Sequence, residues 1–297
     1  MSDERKGLGT VLVPLDGSEE AERAIPMAVR IARATRSPLL MVRVIPLMVW
    51  TTSIVAGGGV TGETLQQIVD EEDRSVAEYL RERTHALRDE GIEVRTLALR
   101  GAPAPTLIDL EPEEGVGLVV MTTHGRTGLP RFALGSVADQ LVRYGRVPVL
   151  LLRSFGVECS SDALNHALIA LDGSARAEQV FKLSKMLAGS IVREITLARV
   201  VDAEASEAQA AEAARYLDEV SARYGVELGG IGRTLSTRVL RGVVAEEILK
   251  QAESGCNLLV IATHGRTGPA RWALGSVADR VVHAAKVPVL LVRTVPE

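Results

Sequence analysis

The sequence predicts an α/β protein built as two tandem, doubly wound domains. Each is expected to hold a mainly parallel five-stranded sheet flanked by helices. Three observations carry this. First, the seventeen residues at 123–139 (THGRTGLPRFALGSVAD) return at 263–279, differing only at the positions of Leu129, Pro130 and Phe132. Second, other pairs recur in the same order: VLVPLDGSEEAERAI and ALIALDGSARAEQVF, then LLMVRVIP and ITLARVVD, then Arg-Gly at 100–101 and 241–242, then VPVLLLR and VPVLLVR. Third, short Val- and Leu-rich runs alternate with segments of helical spacing, which is the βαβα rhythm of a parallel sheet. A repeat of about 150 residues is domain-sized and far too long for a solenoid. Domains are therefore placed at 1–154 and 155–297.

Along the first repeat, strands are expected at 10–15, 39–44, 94–99, 118–121 and 149–152. These runs are apolar without alternation, as suits strands buried on both faces. The first helix is placed at 19–33, with Ser18 as its N-cap and Glu19, Glu20 and Glu22 complementing its dipole. Pro26 is expected to kink it. The second helix spans 63–89, where Leu65, Ile68, Val69, Val76, Tyr79, Leu80 and Leu87 stand three and four apart, and Gly91 supplies a stop. The second repeat gives strands at 167–171, 195–200, 236–240, 258–262 and 289–292, and helices at 175–188, 205–224, 244–252 and 277–284. Residues 153–166, without periodicity, read as the linker.

Composition narrows the functional classes. The chain has 297 residues, 46% hydrophobic and 24% charged, an ordinary globular balance. A net charge of −4 gives no whole-chain attraction for nucleic acid or for an anionic membrane. Cys159 and Cys256 show no metal-type spacing and read as free thiols of a reducing compartment. Residues 1–9 are polar and charged rather than signal-like, and the uncharged run 44–59 falls short of the ~20 apolar residues of a spanning helix. A cytoplasmic location without membrane or nucleic-acid partners is expected. That apolar loop, 47–59, has no counterpart in the second repeat, and reads equally as a lid, a partner contact or an ordinary insertion.

The repeated motifs fall where ligands of doubly wound sheets sit, at the carboxyl ends of the strands. Asp16 and Asp172 close the first strand of each repeat, and the THGRTG segments follow the fourth. Gly125 and Gly128, then Gly135-Ser136 with Asp139 three residues on, admit two readings. Ser-x-x-Asp is a capping box, and a helix start also presents free N–H groups and a positive dipole end to phosphate. Spacing alone leaves both open. Asp-Gly at 16–17 and 172–173 is likewise either a turn or a ligand contact. His124 and His264 suit loop orientation better than base catalysis, because no nucleophile or carboxylate partner accompanies them. His85, His166 and His283 lie at helical or linker positions without a metal pattern. Arg131 and Arg271 recur with the motif, facing either phosphate or solvent. No Walker A sequence is present.

On VPLDGSEEAERA, RVIP, GVVAEEIL and THGRTG…LGS ahead of VPVLLLR, the chain resembles the universal stress protein family in its tandem-domain form, closest to the ATP-binding branch. The resemblance covers nearly the whole chain and implies a Rossmann-like fold of the adenine nucleotide alpha hydrolase type. That branch carries Gly, two residues, Gly, nine residues, Gly-Ser/Thr. Here Gly125 with Gly135-Ser136 and Gly265 with Gly275-Ser276 match, whereas Thr122 and Ala262 stand where the first glycine belongs. Both substitutes are small, and a contact through N–H survives them. Because Thr122 is β-branched and Ala262 is not, the second site is expected to be the more permissive.

The resemblance implies ATP, with or without Mg2+, in one or both domains of a stress-response regulatory module. Asp16 with Pro14 and Leu15, and Asp172 with Ala170 and Leu171, would face the adenine-ribose end. Val44 and Val200 would line the base. Gly125, Gly135, Ser136, Val137 and Ala138, with Gly265, Gly275, Ser276, Val277 and Ala278, would hold the phosphates. The family's last strand pairs across a dimer interface, so the two modules are expected to form a pseudo-dimer within the chain, leaving homodimerisation and an unidentified protein partner open. Two alternatives stand: a member that binds no nucleotide and works through protein contacts, or a weak ATPase. No catalytic residue is assigned, since an SGGxDS loop, paired carboxylates and an activated nucleophile are all missing beside the glycine motif.

Overall fold

The computed structural model describes residues 7–46, 62–88, 91–123, 134–153, 164–188, 191–229, 233–263 and 274–294. The apolar loop 47–59, the first THGRTG from His124 on, the second from His264 on, and Cys159 lie outside them. In the first half the order is β1 (Thr10–Leu15), α1 (Glu19–Glu22), α2 (Ile25–Thr35), β2 (Leu39–Ile45), α3 (Gly62–Arg88), β3 (Val94–Arg100), α4 (Pro103–Glu113), β4 (Val116–Thr122), α5 (Ser136–Tyr144) and β5 (Val149–Leu152). The second half repeats it as β6 (His166–Ala170), α6 (Ala175–Glu178), α7 (Val180–Ala188), β7 (Glu194–Val201), α8 (Glu207–Gly229), β8 (Thr234–Arg241), α9 (Val244–Glu253), β9 (Leu258–Ala262), α10 (Ser276–Ala284) and β10 (Val289–Val292).

The last strands of the two halves pair, as the resemblance implies, and so join the two five-stranded sheets into one. Ten strands run in the order β3-β2-β1-β4-β5-β10-β9-β6-β7-β8. Within each half the pairing is parallel, and the winding reverses between the first and fourth strands. The halves meet where β5 and β10 pair antiparallel, with Leu150 opposite Leu290. Helices cover both faces. Against one lie α2, α3, α7 and α8, burying Met27, Ile31, Leu80, Phe181 and Leu217. Against the other lie α4, α5, α9 and α10, burying Leu107, Leu141, Ile248 and Val281. Successive residues of a strand serve opposite faces, so Leu12 belongs to one core and Val13 to the other.

Several expectations need correction. The first helix is not kinked at Pro26 but divided into α1 and α2, with Pro26 in the first turn of α2, where its missing N–H costs nothing. The same division recurs at Gln179 without a proline, so proline is not its general cause. The predicted strands at 94–99 and 236–240 are not buried on both faces. They belong to β3 and β8, the two edges, and are largely exposed or half-buried. Ile68, counted among the core-facing positions, is exposed, whereas Val76 and Leu80 are buried. The expected linker 153–166 overruns the next strand, because His166 opens β6 and Leu164 is already buried. Helix α4 was not anticipated, since PAPTLIDLEP carries three prolines. Two of them fall in its first turn and Pro112 in its last, where they disturb little.

Candidate functional site

The carboxyl end of the parallel strands is shaped by short, repeated devices. After β6, Asp172 Oδ1 accepts from Ser174 N at 2.9 Å and from Ser174 Oγ at 2.6 Å, while Ser174 Oγ caps α6 by accepting from Ala177 N at 3.1 Å. After β1, Asp16, Ser18 and Ala21 repeat this at 2.9, 2.6 and 3.2 Å. Gly17 and Gly173 make the turn with φ of 84° and 85°, a conformation that penalises any Cβ. Both Asp residues therefore serve the turn, and the turn sets them at the strand ends.

The fourth strand of each half leads to the second device. Thr123 N donates to Leu152 O and Gly135 N returns to Thr123 O; Thr263, Val292 and Gly275 do the same in the second half. These bonds bring the starts of α5 and α10 back to the strand ends. The capping box expected at Ser136 and Asp139 does not form. Gly135 and Gly275 are the N-caps, Ser136 and Ser276 are the first helical residues, and no side chain among the described residues caps either helix. Asp139 bonds Arg143 instead. Among the described residues the first-turn N–H groups of α10 thus lack a side-chain cap beside an open cavity.

That cavity, about 690 Å³, lies in the second half. It brings together Ala170, Leu171, Asp172, Val200, Ala262, Gly275, Ser276, Val277 and Ala278. Its volume is that of a small-molecule site. The floor is aliphatic (Ala198, Ile248, Ile261), and the described charges of the wall are Asp172, Asp202, Glu212 and Arg199. Gly265 lies outside the described residues. In the first half Pro14 and Leu15 end β1, Val44 lies in β2, Thr122 ends β4, and Gly135, Ser136, Val137 and Ala138 start α5 as their counterparts do; Gly125 lies outside the described residues. Thr122 and Ala262 sit in strands, and Arg36 is the sole described non-glycine with positive φ. Neither backbone position therefore requires glycine.

Sequence reasoning missed Arg199, Asp202, Glu212, Val244 and Ile248 as cavity residues. One signal was present: Arg-Val is kept in both RVIP and RVVD, at 43–44 and 199–200. Arg199 lies over the Tyr216 ring with Cζ 5.1 Å from its centroid, and Arg43 lies over Tyr79 at 4.9 Å. Burial, and then the charge of Glu178, pushes the Tyr216 phenol well above its ordinary pKa. Burial and the Glu22 carboxylate do the same to Tyr79. Both rings stay neutral, with electron-rich faces toward the guanidinium groups. Among the described residues no group of His, Cys, Asp and Glu could hold a metal ion, and no helix is long and apolar enough to cross a membrane. Cys256 is a free, buried thiol.

Two doubly wound α/β halves joined edge to edge, with a cavity at the strand ends against a helix N-terminus, define a tandem Rossmann-like protein. The chain belongs to the universal stress protein family, whose model matches residues 7–153 and 164–293. Universal stress protein Rv2005c of Mycobacterium tuberculosis is 29% identical over 299 residues, covering 99% of each chain. Universal stress protein YxiE of Bacillus subtilis is 28% identical over 144 residues, covering 48% of this chain and 97% of its own. The crystal structure of a universal stress protein from Archaeoglobus fulgidus superposes with a TM-score of 0.70 at 19% identity, covering 96% of this chain and 98% of that one, a likeness of fold.

Proposed function

We propose that the chain binds an adenine nucleotide, ATP, in the cavity of its second half and at the corresponding strand ends of its first. It then acts in the cytoplasm as a stress-response regulatory module whose nucleotide state sets its contacts with protein partners. The observation that carries this reading is the junction of Asp172, Val200 and the start of α10, without a side-chain cap among the described residues, around one cavity. An aliphatic floor accommodates a purine, and a helix N-terminus with free N–H groups accommodates phosphate. Asp202 and Glu212 at the rim favour ATP carried with Mg2+, which offsets their repulsion. The residues assigned from sequence are the proposed contacts, and 1–154 and 155–297 are the proposed units of folding.

Nothing in the described site supplies an activated nucleophile, so binding rather than turnover is the proposed role. Gently purified protein examined by native mass spectrometry should carry ATP at one or two copies per chain. Protein freed of ligand should be stabilised by MgATP in a thermal shift, by about 2.7 kcal/mol at one hundred times the dissociation constant. No retained nucleotide and no shift at millimolar MgATP would overturn the reading in favour of a member that works through protein contacts alone.

A further inference from the structure

Arg199 is built into the cavity wall in a way that packing does not account for. Its guanidinium rests on the Tyr216 ring, and its side chain is half-buried and lines the cavity. Among the described residues neither a carboxylate nor a carbonyl pairs with it. Arg43 repeats the arrangement over Tyr79, also without an ion pair or hydrogen bond among the described residues. A Cβ added at Gly17 would lie 3.0 Å from both terminal nitrogens of Arg43 and 3.1 Å from its Cζ. That guanidinium is held between the glycine of the Asp-Gly turn and the tyrosine ring. An aromatic face fixes the plane of a guanidinium and leaves its in-plane N–H fork unspent, the geometry that binds oxyanions in pairs of hydrogen bonds.

The charge of the wall says what such a fork meets. Asp172, Asp202 and Glu212 repel an anion, and Arg199 is the one cation among the described lining residues. We propose that Arg199, and Arg43 in the first half, are specificity-determining residues that read an anionic oxygen of the ligand and so separate phosphorylated nucleosides from nucleosides. Tyr216 and Tyr79 are positioning residues that hold the forks. The inference rests on the nucleotide reading given above and adds to it a residue that neither the glycine motif nor the helix starts supply.

The test uses the full chain, freed of ligand, and isothermal titration with two probes, MgATP and adenosine. In the Arg43→Gln/Arg199→Gln variant, MgATP should bind about 10- to 100-fold more weakly, the loss expected for a charge-assisted pair of hydrogen bonds. Adenosine should bind as it does to the unaltered chain. The Arg43→Lys/Arg199→Lys variant keeps the charge without the fork and should fall between, with adenosine again unchanged. This conservative pair decides the matter if the glutamine variant fails to fold. Equal weakening of both probes, or no change in either, overturns the role given to the arginines while leaving the nucleotide reading intact. An unaltered chain that binds neither probe overturns both.

Discussion

Arg143 of α5 reaches across the chain to Asp279 of α10, Nη2 to Oδ1 at 2.7 Å, while its Nε holds Asp139 of its own helix at 2.8 Å. Asp279 lies in the first turn of α10, next to the residues that line the cavity. The counterpart of Arg143 is His283, whose Nδ1 lies 2.8 Å from the carbonyl of Asp279 in its own helix. The tie between helices is thus one-sided. Arg143→Met should cost about 0.5–1 kcal/mol in urea unfolding at low salt, because the pair is partly exposed. The difference should shrink in 1 M NaCl, and a loss that ignores salt would assign Arg143 a packing role instead.

The junction itself is apolar. Leu150 and Leu290 face each other across the antiparallel pair of β5 and β10, and both are fully buried. Leu290→Ala should destabilise the chain by about 2–5 kcal/mol in urea titration, the range for a core leucine. A cost under 1 kcal/mol would mean that the halves are held by something other than this seam.

Gly17 combines a φ of 84° with the close approach of Arg43. Gly17→Ala should cost about 1–2 kcal/mol from backbone conformation alone. The displaced guanidinium adds to it. Gly91, with a φ of 74° but open space around a Cβ, is the matched control for the backbone contribution. Thermal unfolding of the two alanine variants compares them directly, and equal losses would remove the Arg43 contact from the account.

Glu111 is buried at the seam, accepting from Arg146 N at 2.6 Å, and its Oε1 has no hydrogen-bond partner among the described residues. Burial pushes its carboxyl above the usual range, against the opposing pull of the Arg146 N–H. The folded state therefore holds this proton more tightly than the unfolded chain. Its contribution to stability is greatest below the unfolded value, near 4.3, and falls as pH rises to the raised folded value. Glu111→Gln keeps an acceptor for Arg146 N and should remove that part of the pH slope in urea midpoints. An unchanged slope would place the titration elsewhere.

Much of the fold was legible because burial on two faces leaves an unmistakable trace. Strands such as Val11–Val13 and Leu118–Val120 must be apolar on every residue, and the duplication printed that trace twice. Helix α4 was not legible, since prolines in a first turn look like helix breakers until the turn is known to be first. The edge strands were overrated for the opposite reason: Val, Leu and Ala in VRTLALR resemble a buried run, yet only neighbours on both sides would bury it.

The sequence by itself determined two α/β units and the glycine-serine starts of α5 and α10, matters of local conformation and hydrophobic period, and left the Asp-Gly pairs as turns or ligand contacts. The tertiary structure decided what no local pattern encodes. It set Leu150 opposite Leu290 in the pairing of last strands that the resemblance implies, made Gly135 and Gly275 the caps in place of serine, and turned Arg199 onto Tyr216 at the cavity wall. These depend on residues far apart in the chain, and their free energy exists only once the sheet has brought them into contact.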